Sequence, residues 1–231
     1  MSESAEDRRA VAPVPGTSRR AQFSASTRRA LVDVAERLFT EHGYAATSLD
    51  AIVAGADVTK GALYHHYSGK QALFEAVFER VESAGAQSIQ DALTGVQDPW
   101  DKALSGLRAF LEVVRQPSYS RIVIQDGPSV LGYERFREQE EASTYALVDD
   151  VVRSVLAPPE WGLEQAMLDT FTRIFFGALS AAGVAVAGSG DAAAAAGRAE
   201  AAVAFILTGL REQLEAGRGP QRARPGVTSR T

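Results

Sequence analysis

The sequence predicts an all-α fold. Apolar residues recur every three to four positions, and no stretch sustains the apolar–polar alternation of a strand. Capping residues and helix breakers divide the chain into segments of helical length. We predict a three-helix N-terminal domain at residues 23–70 and a larger helical domain at residues 71–217, joined by a connector helix. Residues 1–22 and 218–231 contain proline, glycine and arginine without apolar periodicity, so we expect both ends to be disordered.

Three short helices are predicted in the N-terminal domain. The first begins after an N-cap at Ser26 or Thr27 and ends at Gly43. Thr47-Ser48 caps the second helix and Thr59 caps the third. Capping side chains accept hydrogen bonds from the free N–H groups of the first turn, so these residues mark where each helix starts.

The connector helix is predicted to open with the capping box Ser68-Gly69-Lys70-Gln71. Later helices are predicted near residues 100–115, 118–126, 130–156, 162–187 and 192–215. Breaks between them are predicted at Pro117, Gly127-Pro128 and Pro158-Pro159.

Composition excludes several classes of protein. The 231 residues are 45% hydrophobic and 23% charged, with a net charge of −5, which is ordinary for a soluble globular protein. The chain has no cysteine, so disulfides, thiolate catalysis and cysteine-ligated zinc are excluded. Its N-terminus lacks the apolar core of a signal peptide, and we expect a cytoplasmic protein. The longest uncharged stretch, Ile174 to Gly190, is shorter than the ~20 apolar residues of a bilayer span, so we expect no membrane segment.

The charge is distributed unevenly. Residues 1–80 carry 10 basic and 10 acidic groups, whereas residues 81–231 carry 14 and 19. A basic arm precedes the first helix, with Arg19, Arg20, Arg28 and Arg29 in a stretch that has no acidic residue. Two interpretations stay open for this arm, a contact to nucleic acid and a solvated segment.

The stretch VTKGALYHHYSGK, residues 58–70, contains two of the three histidines of the chain. On a helix with ~100° per residue, His65 and His66 diverge too far to bind one metal ion, because helical metal ligands prefer i, i+4 spacing. No nucleophile or orienting carboxylate stands near them to support catalysis. Leu63 and Tyr67 are predicted to face the core, which leaves one side of the helix outward.

The outward side suits a helix-turn-helix reader of DNA. Gly61 would let the helix approach a groove closely, while Tyr64 and His65 offer hydrogen bonds and flat rings to bases and sugars. Lys60 and Lys70 would neutralise phosphates. The hydroxyls of Thr47 and Ser48 lie at a helix N-terminus, where a phosphate is favoured.

The run TRRALVDVAERLFTEHGYAATSLDAIVAGADVTKGALYHHYSGKQALFEAVF resembles the N-terminal domain of the TetR family of bacterial transcriptional regulators. A second run, RIVIQDGPSVLGYERF at residues 121–136, is similar to a segment in the ligand domains of some members. Asp57 departs from the family pattern, because members commonly have glycine just before the valine of the turn. By position, the resemblance implies DNA contacts at Thr47, Ser48, Lys60, Gly61, Ala62, Tyr64, His65, His66 and Lys70.

The larger domain is rich in aromatic residues, which favours an apolar cavity with a few polar anchors. The candidate residues of an effector site are Phe110, Tyr119, Gln125, Tyr133, Phe136, Tyr145, Phe171, Arg173 and Phe175. Each ring taken alone is equally compatible with a place in the core. The pattern therefore predicts a hydrophobic or aromatic small-molecule effector without indicating its identity.

The last two helices are predicted to form a homodimer. MLDTFTRIFFGALSAAGVAVAG is apolar nearly all round, and the final helix has an apolar stripe of Val203, Ile206, Leu207, Leu210 and Leu214. The alternative is a monomeric core that uses every apolar face. The family resemblance implies a four-helix dimer interface here.

Together these features predict a homodimeric regulator, most simply a repressor, that binds a pseudo-palindromic operator in double-stranded DNA and is released by its effector. No cofactor, metal or enzymatic activity is expected, because no nucleophile–base or carboxylate pair stands out. Two alternatives stay open. One is an enzyme, and the other is a dimeric carrier or partner-binding module that kept the fold without operator binding.

Overall fold

The computed structural model describes residues 15–217, except for the side chains of residues 15–20, 140–142 and 160. The α-helices are α1 Pro15–Ala46, α2 Leu49–Gly55, α3 Lys60–His66, α4 Lys70–Leu93, α5 Pro99–Arg115, α6 Gly127–Leu131, α7 Tyr133–Ala142, α8 Thr144–Leu156, α9 Gln165–Ala187 and α10 Ala192–Glu215. A π-helical segment, Tyr119–Asp126, lies between α5 and α6, and a 3₁₀ turn, Pro159–Trp161, precedes α9. Residues 15–217 contain no strand, so the all-α prediction is confirmed for this part of the chain.

Local sequence signals correctly placed the change of direction at Gly43 and the starts of α2 and α3. Gly43 has φ 76° and ψ 168°, a conformation that favours glycine, and the chain of α1 changes direction there. The Ser48 hydroxyl caps α2 by accepting from the Ala51 N–H at 3.1 Å, and Thr59 caps α3 by accepting from the Ala62 N–H at 3.1 Å. Buried Ile52 and Leu63 then pack α2 and α3 against α1.

The start of α1 differs from the prediction. The helix begins at Pro15, so Ser26 and Thr27 lie inside it, and the Ser26 hydroxyl donates to the Phe23 carbonyl at 2.9 Å. Proline suits a first helical turn, and an existing helix extends without a new nucleus. The expected disorder is therefore wrong for residues 15–22. The same expectation for residues 1–14 and 218–231 lies outside the described residues.

The predicted capping box does not form at the start of α4. Gly69 occupies the N-cap position without a side-chain hydrogen bond. Gln71 instead donates from Nε2 to the Val130 carbonyl of α6 at 3.0 Å. A tertiary contact thus replaces the local one, and it joins the connector helix to the larger domain.

The predicted helix at 130–156 is three helices. Gly132, with φ 79°, ends α6, and Ser143 separates α7 from α8. The predicted break at Gly127-Pro128 is also wrong, because α6 begins there and proline fits its first turn. The predictions near 100–115 and 192–215 are confirmed, whereas α9 begins after the 3₁₀ turn rather than at residue 162.

Helix α4 connects the two domains through one continuous apolar core. Its first half places Phe74 and Phe78 in the core beside Phe39 of α1, and its second half places Ile89 and Leu93 there beside α5. Helix α4 is therefore part of the packing of both domains, and a displacement of this helix would alter the packing in each.

The outer faces of α9 and α10 are apolar and exposed. Their large exposed side chains include Met167, Ile174, Val184, Phe205 and Ile206. Within residues 15–217, α9 and α10 are also the two helices long and apolar enough to cross a membrane, a test that core helices of soluble proteins pass too. The expectation of no membrane segment rested on the length of the uncharged stretch Ile174 to Gly190. Helix α9, with 23 residues, is longer than that stretch.

Candidate nucleic-acid interface and effector cavity

The turn between α2 and α3 accommodates the departure at Asp57. This residue has φ 52°, in the left-handed region that glycine adopts freely. Aspartate tolerates that region better than most residues, because its short side chain can form local hydrogen bonds. The turn therefore keeps its path without the glycine.

Asp57→Gly should stabilise the protein by about 1 kcal/mol. The left-handed conformation costs an ordinary residue ~1–2 kcal/mol, and the extra chain entropy of glycine offsets only part of that relief. Thermal unfolding should show a midpoint higher by roughly 2–4 °C. Asp57→Asn is the control and should leave the midpoint unchanged. A lower midpoint for Asp57→Gly would show that the aspartate side chain itself holds the turn.

One side of α3 is exposed, as the helical wheel predicts. Lys60, Gly61, Tyr64 and His65 face solvent, and the Tyr64 side chain is 57% exposed. Ala62 and His66 are half-buried, and the His66 ring contacts the His65 ring edge-on at 5.2 Å. Leu63 and Tyr67 are buried. The exposed side thus presents two hydrogen-bonding rings beside a residue that has no side chain.

Gly61 is not required by the protein's own packing. A Cβ built on it would meet a single neighbouring atom within 4 Å, Thr59 Oγ1 at 3.8 Å. Its backbone does not lie in the region that favours glycine. Packing within the chain therefore does not explain the glycine at this position, and its close approach to DNA stays a prediction.

A groove between α2 and α3 carries an ion pair. Lys60 Nζ lies 2.6 Å from Asp50 Oδ1, and both side chains are more than 60% exposed. The hydrogen bond that Lys60 donates to the Asp50 carboxylate raises the pKa of Lys60. The groove is lined by Ser48, Leu49, Asp50, Val53, Lys60, Leu63 and Tyr64. Because exposed pairs are weak, a phosphate can compete with Asp50 for Lys60.

Thr47 holds a turn, so its hydroxyl was wrongly assigned to phosphate. The side chain is 3% exposed, and its hydroxyl donates to the Gly43 carbonyl at 2.8 Å. Lys70 supports the same turn by donating to the Thr47 carbonyl at 2.7 Å and lying 4.2 Å from the Tyr44 ring centre. Desolvation lowers the pKa of Lys70. Its phosphate contact stays a prediction, as does that of exposed Ser48.

Two cavities lie in the larger domain. The first, named here the apolar cavity, has an empty volume of about 650 Å³ including its open mouth. It is lined by Ile89, Ala103, Leu107, Leu147, Val148, Val151, Val152, Val155, Leu156, Phe175, Leu179, Val203, Leu207 and Leu210. All of these side chains are hydrocarbon, so among the lining residues no polar side chain could form a hydrogen bond or ion pair with a ligand.

The second, named here the acidic cavity, has an empty volume of about 580 Å³ including its mouth. It is lined by Glu82, Phe110, Tyr119, Val123, Ile124, Pro128, Phe136, Thr144, Phe176, Leu179, Ser180 and Val184. Four aromatic rings and three polar side chains therefore converge here. Its lining matches the pattern that the aromatic content predicts, an apolar space with a few polar anchors, and effector binding in it stays a prediction.

The predicted effector residues divide between these cavities and other places. Phe110, Tyr119 and Phe136 line the acidic cavity and Phe175 lines the apolar one. The remaining five, which line neither, are Gln125, Tyr133, Tyr145, Phe171 and Arg173.

Each of the five lies elsewhere in the larger domain, and its contact with an effector stays a prediction. Tyr133 is 73% exposed beside Arg137, and Arg173 is exposed. Gln125 is exposed and donates to the Ala187 carbonyl at 3.1 Å. Tyr145 packs edge-on against Phe176 at 5.2 Å, and Phe171 stacks on Phe175. Aromatic content alone does not distinguish a residue that lines a cavity from a residue that packs behind the lining.

Glu82 is a buried carboxylate in the wall of the acidic cavity that the sequence reasoning missed. It is 3% exposed, and its Oε1 accepts from the Ser143 hydroxyl and, at 3.5 Å, from the Thr144 hydroxyl. Burial raises the pKa of its carboxyl group. A signal was present, because Glu82 stands among Phe78, Val81 and Gly85 at the spacing of the buried face of α4.

The π-helical segment connects the acidic cavity to the N-terminal domain. Tyr119 and Ile124 line the cavity, while Asp126 Oδ2 accepts from the Tyr44 N–H at 2.8 Å. The Arg121 guanidinium lies against Gly43, within 1.8 Å of where a Cβ would stand. The segment therefore contacts both the acidic cavity and the end of α1.

Comparison with known proteins identifies the family. Residues 31–77 match the model of bacterial regulatory proteins of the tetR family, and residues 100–210 match the tetracyclin repressor-like C-terminal domain. A crystal structure of a TetR-family transcriptional regulator from Pectobacterium atrosepticum matches with a TM-score of 0.67 at 30% identity, over 83% of this chain and 96% of that one. The chain belongs to the TetR family. This family is one of transcriptional regulators rather than of enzymes.

Curated relatives of this TetR-family protein match over shorter lengths. The Transposon Tn10 TetC protein of Escherichia coli is 30% identical over 113 residues, which is 49% of this chain and 57% of that protein. The HTH-type transcriptional regulator AcrR of Shigella flexneri is 44% identical over 62 residues, which is 27% of this chain and 29% of that protein. The chain thus spans 57% and 29% of the length of these two relatives.

Proposed function

We propose that this TetR-family protein is an effector-responsive transcriptional regulator that binds a two-fold-symmetric operator as a homodimer. The observation that carries the proposal is the exposed side of α3. Gly61, Tyr64 and His65 point outward from a domain whose core holds Phe39, Ile52 and Leu63 fully buried. A short helix with such a face, fixed by a tight turn to a preceding helix, is the reading element of a helix-turn-helix domain.

The dimer is supported by the outer faces of α9 and α10. Phe205 is 81% exposed, and Ile174 and Val184 are each 60% exposed. Water-soluble proteins rarely leave such a contiguous apolar surface uncovered. A second copy would cover it and would place two α3 helices on one DNA duplex, as a palindromic operator requires. Family membership supports a cytoplasmic location for this activity, where the DNA is.

The acidic cavity is the proposed effector site. It combines aromatic walls with polar anchors, and the π-helical segment joins it to Tyr44 and Gly43 of α1. Effector binding would shift this segment and with it the spacing of the two α3 helices, so that the operator is released. For the operator to be released in this way, the effector must bind the DNA-free form of the protein about 5 kcal/mol more tightly than the DNA-bound form.

The function is tested by a mobility-shift titration with DNA that flanks the protein's own gene, using Gly61→Ala as the diagnostic variant. In the folded chain the added methyl makes only an ordinary van der Waals contact, with Thr59 Oγ1 at 3.8 Å, and alanine favours helix over glycine by up to ~1 kcal/mol. Unfolding should therefore occur at an equal or higher temperature. Operator affinity should nevertheless fall at least tenfold, because the methyl holds α3 away from the groove floor. Unchanged operator affinity would remove α3 from the interface. A chain that shifts no flanking DNA at micromolar concentration would refute operator binding.

A further inference from the structure

We propose that the acidic cavity takes an organic cation with an apolar body, and that the Glu82 carboxylate selects for the positive charge. The inference deepens the proposed function, since it names the chemical class of the effector. It starts from one juxtaposition: a carboxyl group, 3% exposed, shares a cavity wall with four aromatic rings.

Glu82 has no cationic partner among the described residues. The ion pairs found in this part of the chain do not include it, and its two hydrogen bonds both end on Oε1. Two hydroxyl donors compensate a buried carboxylate only in part, and an unpaired buried charge is unfavourable. A cation in the cavity would supply the missing opposite charge.

The walls of the cavity favour the same kind of ligand. Phe110, Phe136 and Phe176 present rings without polar atoms, and Tyr119 adds a fourth ring. The face of an aromatic ring carries negative electrostatic potential and attracts organic cations, most strongly where water is excluded. The aromatic rings and the Glu82 carboxylate therefore both favour a cationic ligand.

Other ligand classes fit the acidic cavity less well. An anion would face Glu82 with no lysine, arginine or histidine among the described lining residues to offset it. A neutral hydrocarbon gains nothing from a carboxylate and is better matched by the neighbouring apolar cavity, whose described lining is hydrocarbon throughout. Leu179 lines both spaces, so the two cavities differ chiefly in the acid, the hydroxyls and the rings.

The test compares a permanently charged probe with its uncharged isostere. Benzyltrimethylammonium and neopentylbenzene have nearly the same shape and differ in charge, and a quaternary ammonium keeps its charge at every pH. Binding to the full-length protein is measured by NMR titration, with nuclear Overhauser contacts to the Phe110 and Phe136 rings locating the probe. We expect the wild type to bind the cation at least tenfold more tightly than the isostere.

Glu82→Gln should abolish that preference, because the amide keeps the size and a hydrogen-bond acceptor but loses the charge. Glu79→Gln is the matched control, one turn away on the exposed side of α4, and should keep the preference. Glu82→Asp keeps the charge and should retain a reduced preference, which guards against a folding defect of the amide variant. Equal binding of the two probes to the wild type, absence of cation binding, or an undiminished preference in Glu82→Gln would overturn the proposal.

The same variants separate this inference from the proposed function. Operator binding is measured on the wild-type protein without ligand, and charge-selective binding on the wild type and Glu82→Gln, so each proposal has its own measurement. Charge-selective binding that depends on Glu82, without any operator binding by the wild type, would refute the regulator and leave the cation site standing. Operator binding without charge selectivity would refute the cation site and leave the regulator standing.

Discussion

Phe205→Glu should convert the protein to monomers and lower operator affinity by roughly 10²–10⁴, the contribution that a second tethered half-site makes to binding. Phe205 is 81% exposed on α10 and contributes little to packing within its own chain, so the fold should survive. In a dimer, both copies of Phe205, one from each subunit, would be buried in the interface. A carboxylate there would be desolvated without a partner.

Sedimentation at low micromolar concentration measures the outcome, with the 24.6 kDa of one chain as the monomer mass. Tyr133→Glu is the matched control, since it also places a carboxylate on an exposed aromatic position but outside α9 and α10, and it should leave a dimer. A wild-type monomer at this concentration would refute the two-half-site arrangement. Leu207 is a poorer probe than its apolar stripe indicated, because it is buried within its own chain and lines the apolar cavity.

Tyr64→Ala and His65→Ala should each lose ~1–3 kcal/mol of operator binding per half-site, and hence twice that in the dimer. Both side chains are exposed, so the free energy of unfolding should change by no more than about 0.5 kcal/mol. Contacts to base edges distinguish sequences, whereas contacts to phosphates do not. The loss should therefore be large on operator DNA and small on scrambled DNA.

Fluorescence anisotropy on the two DNAs at one fixed salt concentration measures this difference, since affinities at different salt are not comparable. Tyr64→Phe keeps the ring and removes the hydroxyl, which separates stacking on a sugar or thymine methyl from hydrogen bonding to a base. Equal weakening on operator and scrambled DNA would show that these rings contact the backbone rather than the bases.

Features set by neighbouring residues could be predicted from the sequence. The Ser48 and Thr59 caps and the turn at Gly43 each depend on a few adjacent positions, and the structure confirms all three. The exposed side of α3 followed equally from helical geometry, which places Leu63 inward and Tyr64 outward. Local rules therefore sufficed for the element that carries the proposed function.

Features set by distant residues could not be predicted. The break at Ser143 coincides with its hydrogen bond to Glu82, 61 positions earlier, and Gln71 leaves its capping box for the Val130 carbonyl 59 positions later. The acidic cavity is a stronger case, because Tyr133 and Phe136 lie one turn apart on α7, yet Tyr133 is 73% exposed and Phe136 lines the cavity. A cavity wall is defined by several helices at once, and no single helix encodes it.

The π-helical segment has a consequence for how such a regulator measures its effector. The same eight residues border the acidic cavity and hold the Tyr44 N–H through Asp126, so both binding events would act on one element. Thermodynamic linkage then requires that bound DNA lowers effector affinity by the same factor by which effector lowers DNA affinity. Molecules on the operator and molecules free in the cell would respond at two different effector concentrations. The abundance of the protein relative to its operators, and not effector affinity alone, would set the concentration at which transcription begins.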